Sequence, residues 1–254
     1  KKLLAQALVS ILMVVGSDVR IRSIFGLFGV YEINYYISIA FSILTFIILI
    51  NAFNLIDGID GLAGSYTIAT SILFGISFFR LGPANDPLVI LCAIIIAASF
   101  AFLFYNLSNK RNAKIFMGDT GSMILGFLLA FTGISFIEIF IQKRDEVFYH
   151  LQSAPVIAVA ILILPIIDTL MVIITRIYHG KSILSPDKNH IHHKLLNLGL
   201  THRRSTAYII GYYLIIIAVA YSLRHLNVNY LLIIILFIGF LGAYLPIFLL
   251  RFKN

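Results

Sequence analysis

Apolar runs long enough to cross a bilayer follow one another along almost the whole chain, and that succession leaves few folds open. They lie near 3–16, 34–53, 62–80, 88–106, 122–141, 154–178, 205–223 and 229–250. Lipid offers no hydrogen-bond partner to a backbone, so a spanning segment must be a helix or part of a closed barrel. Barrel strands alternate apolar and polar residues over about 10 positions, whereas these runs are longer and uniformly apolar. The expected fold class is therefore all-α, a polytopic transmembrane helix bundle with about 8 spans. Of 254 residues, 60% are hydrophobic and 12% charged, which excludes a soluble globule. A chain of this length is most simply one domain, 1–254. Cys92 stands alone, so no disulfide framework forms within the chain. Trp is absent, leaving Tyr and Phe to supply any aromatic belt.

The first run is short for a bilayer that needs about 20 residues. Lys1-Lys2 before it imitates a signal peptide, but no small-x-small cleavage site follows and no Met begins the chain. The expectation is a transmembrane helix near a cut end, in a piece of a longer protein. An even number of spans places the loops 51–61, 107–121 and 179–204 on one side with both termini. Most of the 19 Lys and Arg residues fall on that side, which the positive-inside rule makes cytoplasmic. The segments 17–33, 81–87 and 142–153 on the other side read as solvated connectors.

The three loops carry the unusual chemistry. In the first, Asn51, Asn54, Asp57 and Asp60 recur every third residue, with Gly58, Gly61 and Gly64 among them. A carboxylate that close to lipid costs a few kcal/mol. In a regular helix each such step drifts by about 60°, so Asn51 and Asp60 would face apart. A helix end that tightens or unwinds at Gly58 would bring them onto one pocket; a polar interhelical turn is the plain alternative. The second loop holds Lys114 and then Gly118-Asp119-Thr120-Gly121-Ser122 where a helix begins. Helix N-termini favour phosphate, and Mg²⁺ beside phosphates takes one or two carboxylates. The alternative is that Asp119 or Thr120 caps the helix.

Within 154–178, Pro165 is expected to bend the helix. Asp168 and Arg176 share nearly one face and either line a functional cavity or form a buried ion pair. The third loop holds five of the seven histidines, including His190, His192 and His193 after Asp187. A zinc site would normally take three or four fixed ligands, and the flanking Lys and Arg would repel it. Histidines beside cations fit a phosphate-rich ligand better.

Taken together, Asn51-Ala-Phe-Asn54-Leu-Ile-Asp57-Gly58-Ile-Asp60-Gly61, Phe116-Met-Gly118-Asp119-Thr-Gly121-Ser and Asp187-Lys-Asn-His190-Ile-His192-His193-Lys resemble the polyprenyl-phosphate N-acetylhexosamine-1-phosphate transferases of glycosyltransferase family 4. The histidine motif looks most like the WecA/TagO-like branch, which uses UDP-GlcNAc. The resemblance implies transfer of GlcNAc-1-phosphate from a UDP-N-acetylhexosamine to undecaprenyl phosphate, with release of UMP. It implies Mg²⁺ as cofactor, with Mn²⁺ as an alternative, held by Asp119 and Asp57. Asp57, Asp60 and Asp119 take catalytic roles. Asn51, Asn54, Lys114, Asp168, Arg176, Asp187, His190, His192 and His193 take substrate-binding roles. It further implies a multi-pass protein of the bacterial inner membrane with its site facing the cytoplasm, no nucleic-acid partner, and a homodimer as one arrangement.

The family carries an adjacent pair of aspartates upstream of a segment like Lys2-Leu3-Leu4-Ala5-Gln6, and that pair is absent here. The family bundle has about 11 spans, so roughly three are missing by this count. The expectation is an enzyme whose fragment 1–254 is inactive alone. The pentapeptide-sugar branch is the close alternative. A transporter, with Asp168, Arg176 and the Asp57 loop as its pathway, is the distant one. A carrier would hold its charges near mid-membrane in paired halves, whereas these gather at one face without duplication.

Overall fold

The computed structural model describes residues 2–108, 113–142, 153–180, 182 and 190–253. Helix α1 (Lys2–Ile11) runs on through a wider turn, Leu12–Gly16. Strands β1 (Ser23–Leu27) and β2 (Val30–Glu32) follow, then α2 (Tyr35–Ile56), α3 (Leu62–Arg80), α4 (Asp86–Asn106) and α5 (Gly118–Gln142). The remaining elements are α6 (Ala154–Ile161), α7 (Ile163–Tyr178), α8 (Ile191–Asn197), α9 (His202–Ser222) and α10 (Val228–Lys253). The chain is a multi-pass helical membrane protein, as its apolar runs require.

The span count and two details differ from expectation. Among the described residues, six helices are long and apolar enough to cross a membrane: α2, α3, α4 with the turn before it, α5, α9 and α10. A seventh span exists if α6 and α7 are taken as one, but they are bent by 75°. Lys2–Gly16 is shorter than the rest. Eight apolar runs therefore give six or seven candidate spans, because one run breaks and one is short. The break lies at Leu162 (φ −99°, ψ 15°), three residues before Pro165. Pro165 has no N–H to give the Ile161 carbonyl one turn back. The helix opens there, and the hydroxyls of Tyr66 and Tyr213 each donate to that carbonyl at 3.0 Å.

The second detail is segment 17–33, which is no mere connector. It forms an antiparallel hairpin, Ser23 opposite Glu32 and Leu27 opposite Val30, with an irregular register between. Phe25 and Phe28 sit at φ near +56° and +53°, a region that bulky side chains seldom adopt. Bonds outside the hairpin hold it there. The Phe28 N–H donates to Asn229 Oδ1 at 2.7 Å, and Ile21, buried against the bundle, donates its N–H to Ser42 Oγ at 2.8 Å.

Helix contacts follow from small residues and rings. A side chain at Gly126 of α5 would press on the Ile50 backbone of α2 at 2.9 Å, so the two helices touch nearly backbone to backbone. Gly75 of α3 makes room for Cys92 of α4, burying that thiol. Phe74, Phe78 and Phe136 interlock with centroids 5.6 to 6.5 Å apart. This packing fixes the ends of α2, α3, α5, α7 and α9 that carry the three polar loops.

Candidate active site

The site starts where α2 stops. Its last bond gives way to a tight turn at Asp57 (φ −73°, ψ 45°), with the Gly58 N–H donating to Ile56 O at 2.7 Å. The turn sends the Asp57 carboxylate to the start of α5, where it accepts the Gly118 N–H. It thus satisfies a helix N-terminus from another helix, where negative charge is favoured. Burial nevertheless outweighs that bond and pushes the Asp57 carboxyl up to about 6. One residue on, Asp119 is more than half exposed and meets the Lys2 ammonium of α1. Asn54 reaches both Asp119 and the Ser122 hydroxyl. Asn54, Asp57, Asp119 and Ser122 therefore form one group at the junction of α2 and α5.

Asp60 belongs to a neighbouring group. Its carboxylate receives Lys114 Nζ at 2.5 Å, and His202 Nδ1 lies 3.4 Å away. Its carbonyl accepts Thr206 Oγ1 at 2.8 Å, which ties the turn to α9. The next residue, Gly61, adopts φ +81° to start α3 and donates its N–H to Asn106 Oδ1 at 2.7 Å. Asn106 Nδ2 in turn donates to Ile115 O at 2.9 Å, beside Lys114. One buried asparagine at the end of α4 thus locks the first loop to the second.

The third loop closes onto the first. Asp168 on α7 is buried and accepts from His190 Nδ1 at 2.7 Å and from the Ile191 N–H at 2.8 Å. The carboxylate keeps the proton on Nδ1 and aims the start of α8. Its described partners are thus His190 and Ile191, at the start of α8. The rings of His190 and His192 lie parallel, 5.6 Å apart, and His193 packs on His192 at 4.3 Å. His192 packs against Gly58 with its Nε2 edge, and a Cβ added at Gly58 would come 2.1 Å from Nε2. Burial pushes the His192 imidazole down to about 4, so it is neutral at pH 7.

Arg176 and His190 line a cavity of about 1010 Å³, together with Asn51 and Asn54. Its other walls are apolar and come from α2, α5, α6 and α7, including Ile48, Ile137, Val159 and Ile173. Asn51 itself is held by α1: its amide donates to Gln6 Oε1 at 2.9 Å and to Ile47 O at 2.7 Å. The single pocket expected for Asn51 through Asp60 is therefore divided. Asn51 faces α1, Asp57 faces α5, and Asp60 faces Lys114. Asp187 lies outside the described residues.

Sequence reasoning missed Lys2, Gln6, Asn106, His202 and Thr206 as partners of the site. Gln6 and Asn106 are polar residues in apolar runs, which is a signal; Thr206 gives none, because its partner is 146 residues away.

Among the described residues no three His, Cys, Asp or Glu groups gather as a metal cluster. Asp57 and Asp119 are hard oxygen donors side by side at a helix start, and a lysine ammonium already lies against Asp119 as a cation would. One or two carboxylates with room for water and phosphate suit Mg²⁺.

Comparison with known proteins finds related transferases. The chain is 37% identical over 190 residues to a probable undecaprenyl-phosphate N-acetylglucosaminyl 1-phosphate transferase of Bacillus subtilis, covering 74% of this chain and 49% of that protein. It is 36% identical over 169 residues to the decaprenyl-phosphate N-acetylglucosaminephosphotransferase of Mycolicibacterium smegmatis, covering 62% and 40%. It is 32% identical over 205 residues to the undecaprenyl-phosphate alpha-N-acetylglucosaminyl 1-phosphate transferase of Yersinia pestis, covering 79% and 52%. The chain spans about half the length of the curated relatives it matches. Residues 1–137 match the family described as glycosyl transferase family 4, a stretch that holds the Asn51–Gly61 and Gly118–Ser122 motifs, and the chain belongs to that family.

Proposed function

We propose that the whole protein transfers GlcNAc-1-phosphate from UDP-GlcNAc to a polyprenyl phosphate, undecaprenyl phosphate in the first instance, and releases UMP. The reaction takes place at the cytoplasmic face of the bacterial inner membrane. The observation that carries this reading is the meeting of the three loops: Asp57 caps α5 beside Asp119 while His192 packs on Gly58. The names of the relatives support the choice of sugar and lipid.

Phosphoryl transfer asks a protein mainly for positioning and charge neutralisation. Asp119 and Asp57 would hold Mg²⁺, which when bound supplies positive charge at the donor diphosphate. The residues of this chain do the rest. The Asp60–Lys114 pair sets a cation beside the acidic turn. Neutral His192 offers a hydrogen-bonding edge that carries no repulsion toward Mg²⁺. His190, aimed by Asp168, and Arg176 stand at the wall of the apolar cavity, where a lipid phosphate at the head of a prenyl tail would sit. The acceptor is already an ionised phosphate and needs little help from a base. The charged residues of the three motifs gather at the loop end of the bundle, which argues against a carrier.

Membranes containing the whole protein, incubated with undecaprenyl phosphate, Mg²⁺ and a panel of UDP-sugars, test the proposal. Formation of GlcNAc-diphosphate lipid and UMP is expected. No product from any sugar, or product from the MurNAc-pentapeptide donor alone, overturns it.

A further inference from the structure

Apart from the site and the hairpin end, the described bundle concentrates buried polar groups at the bend between α6 and α7. Tyr66 of α3 and Tyr213 of α9 are completely buried, and both hydroxyls point at one acceptor, Ile161 O. Thr70 Oγ1 lies 3.2 Å from the Tyr213 hydroxyl and completes the group. The rings pack edge to face at 5.1 Å. Phenylalanine would fill the same space, so the hydroxyls are explained by the carbonyl that Pro165 leaves without a helical donor.

We propose that Tyr66 and Tyr213 are positioning residues for the histidine helix α8: together they fix the direction in which α7 leaves the bend, and so the placement of Asp168, His190 and His192. Asp168 lies two turns beyond Ile161, about 10 Å along the helix, so a 10° change at the bend moves it by about 2 Å. The 2.7 Å contact from Asp168 to His190 does not survive such a shift. The two tyrosines also sit on the helices that fix the acidic turn. Helix α3 begins directly after Gly61, and α9 holds the Asp60 carbonyl through Thr206. The same frame therefore sets both halves of the site. Either hydroxyl alone satisfies the carbonyl, so the loss of one is tolerated and the loss of both is not.

The inference rests on the proposed function only for its kinetic readout. In the whole protein, Tyr66→Phe and Tyr213→Phe each change the KM for UDP-GlcNAc by less than about threefold. The double variant raises it about tenfold or more, and the KM for undecaprenyl phosphate rises with it, because Arg176 and His190 at the wall of the lipid cavity are placed by the same helix. Hydrogen exchange of the amides at 191–197 quickens about tenfold in the double variant, while α2 and α5 keep their protection. Unchanged exchange at 191–197 in the double variant overturns the proposal. Equal acceleration throughout α3, α9 and α8 does so too, since it marks only a loosened core. If the unaltered protein transfers no sugar phosphate, the functional reading fails, and the exchange measurement still decides the role of the tyrosines.

Discussion

The two ends of α2 stand about 30 Å apart and treat acidic residues in opposite ways. At the hairpin end Asp18 and Glu138 are closely paired, while Glu32 is exposed on β2. Glu138 receives both the backbone N–H and the guanidinium of Arg22. Asp18 receives Arg20 at 2.9 Å and Arg22 at 2.6 Å, and the Arg20 hydrogen bond above all holds its carboxyl below the usual range. At the loop end Asp57 has one backbone N–H and is pushed up to about 6, and Asp119 stays largely exposed against a lysine. The first end uses charge to close a structure. At the second, Asp60 and Asp119 also meet lysines, but the described partner of Asp57 is a backbone N–H, which leaves that carboxylate open to a cation.

Four experiments bear on that contrast, and the largest effect is expected at Asp119. Asp119→Asn in the whole protein should lower sugar-phosphate transfer by about a thousandfold or more while membrane insertion is normal. Retained turnover would remove Asp119 from the proposed metal site. Next is Gly58→Ala, which drives a methyl group into the His192 ring and should lower kcat/KM for the UDP-sugar by up to about a hundredfold. In a His192→Ala background the same change should do little further harm. A full additional loss there would mean that Gly58 acts through its backbone alone.

At the paired end, Glu138→Gln should cost about 2 kcal/mol of stability, read as a lower melting temperature in detergent, with both KM values unchanged. A changed KM would show that the hairpin end communicates with the site.

The smallest effect is a pH dependence. The Asp57 carboxyl is raised from 3.8 to about 6 on folding, so the folded chain holds that proton where the unfolded chain has lost it. In metal-free buffer its contribution to stability is therefore present below pH 4 and declines as the pH rises through 6. The melting temperature of Asp57→Asn should lack this component. Identical pH profiles for the two proteins would place Asp57 in a more polar setting.

Most of the fold was legible because lipid permits so few solutions. The uniform runs marked the helices, and the polar residues at their ends marked the loops that meet. What escaped were features set by partners distant in sequence. Pro165 announced a bend but not its position, which depends on tyrosines from α3 and α9. The hairpin escaped because it lacks alternation and forces Phe25 and Phe28 into left-handed backbone. Asn106 and Gln6 could be seen as polar but not matched to Gly61 and Asn51, each 45 residues away. Asp168 was seen as functional or ion-paired, and its bond to His190 joins those two readings.

The close approach of α2 and α5 at Gly126 has a mechanical consequence. With no side chain between them, the pair tilts as a single strut when the bilayer thickens or thins. Asn54, Asp57 and Asp119 ride on that strut and keep their spacing. The imidazoles reach the strut through the contact of His192 with Gly58, so that contact is where the acidic and histidine halves of the site meet.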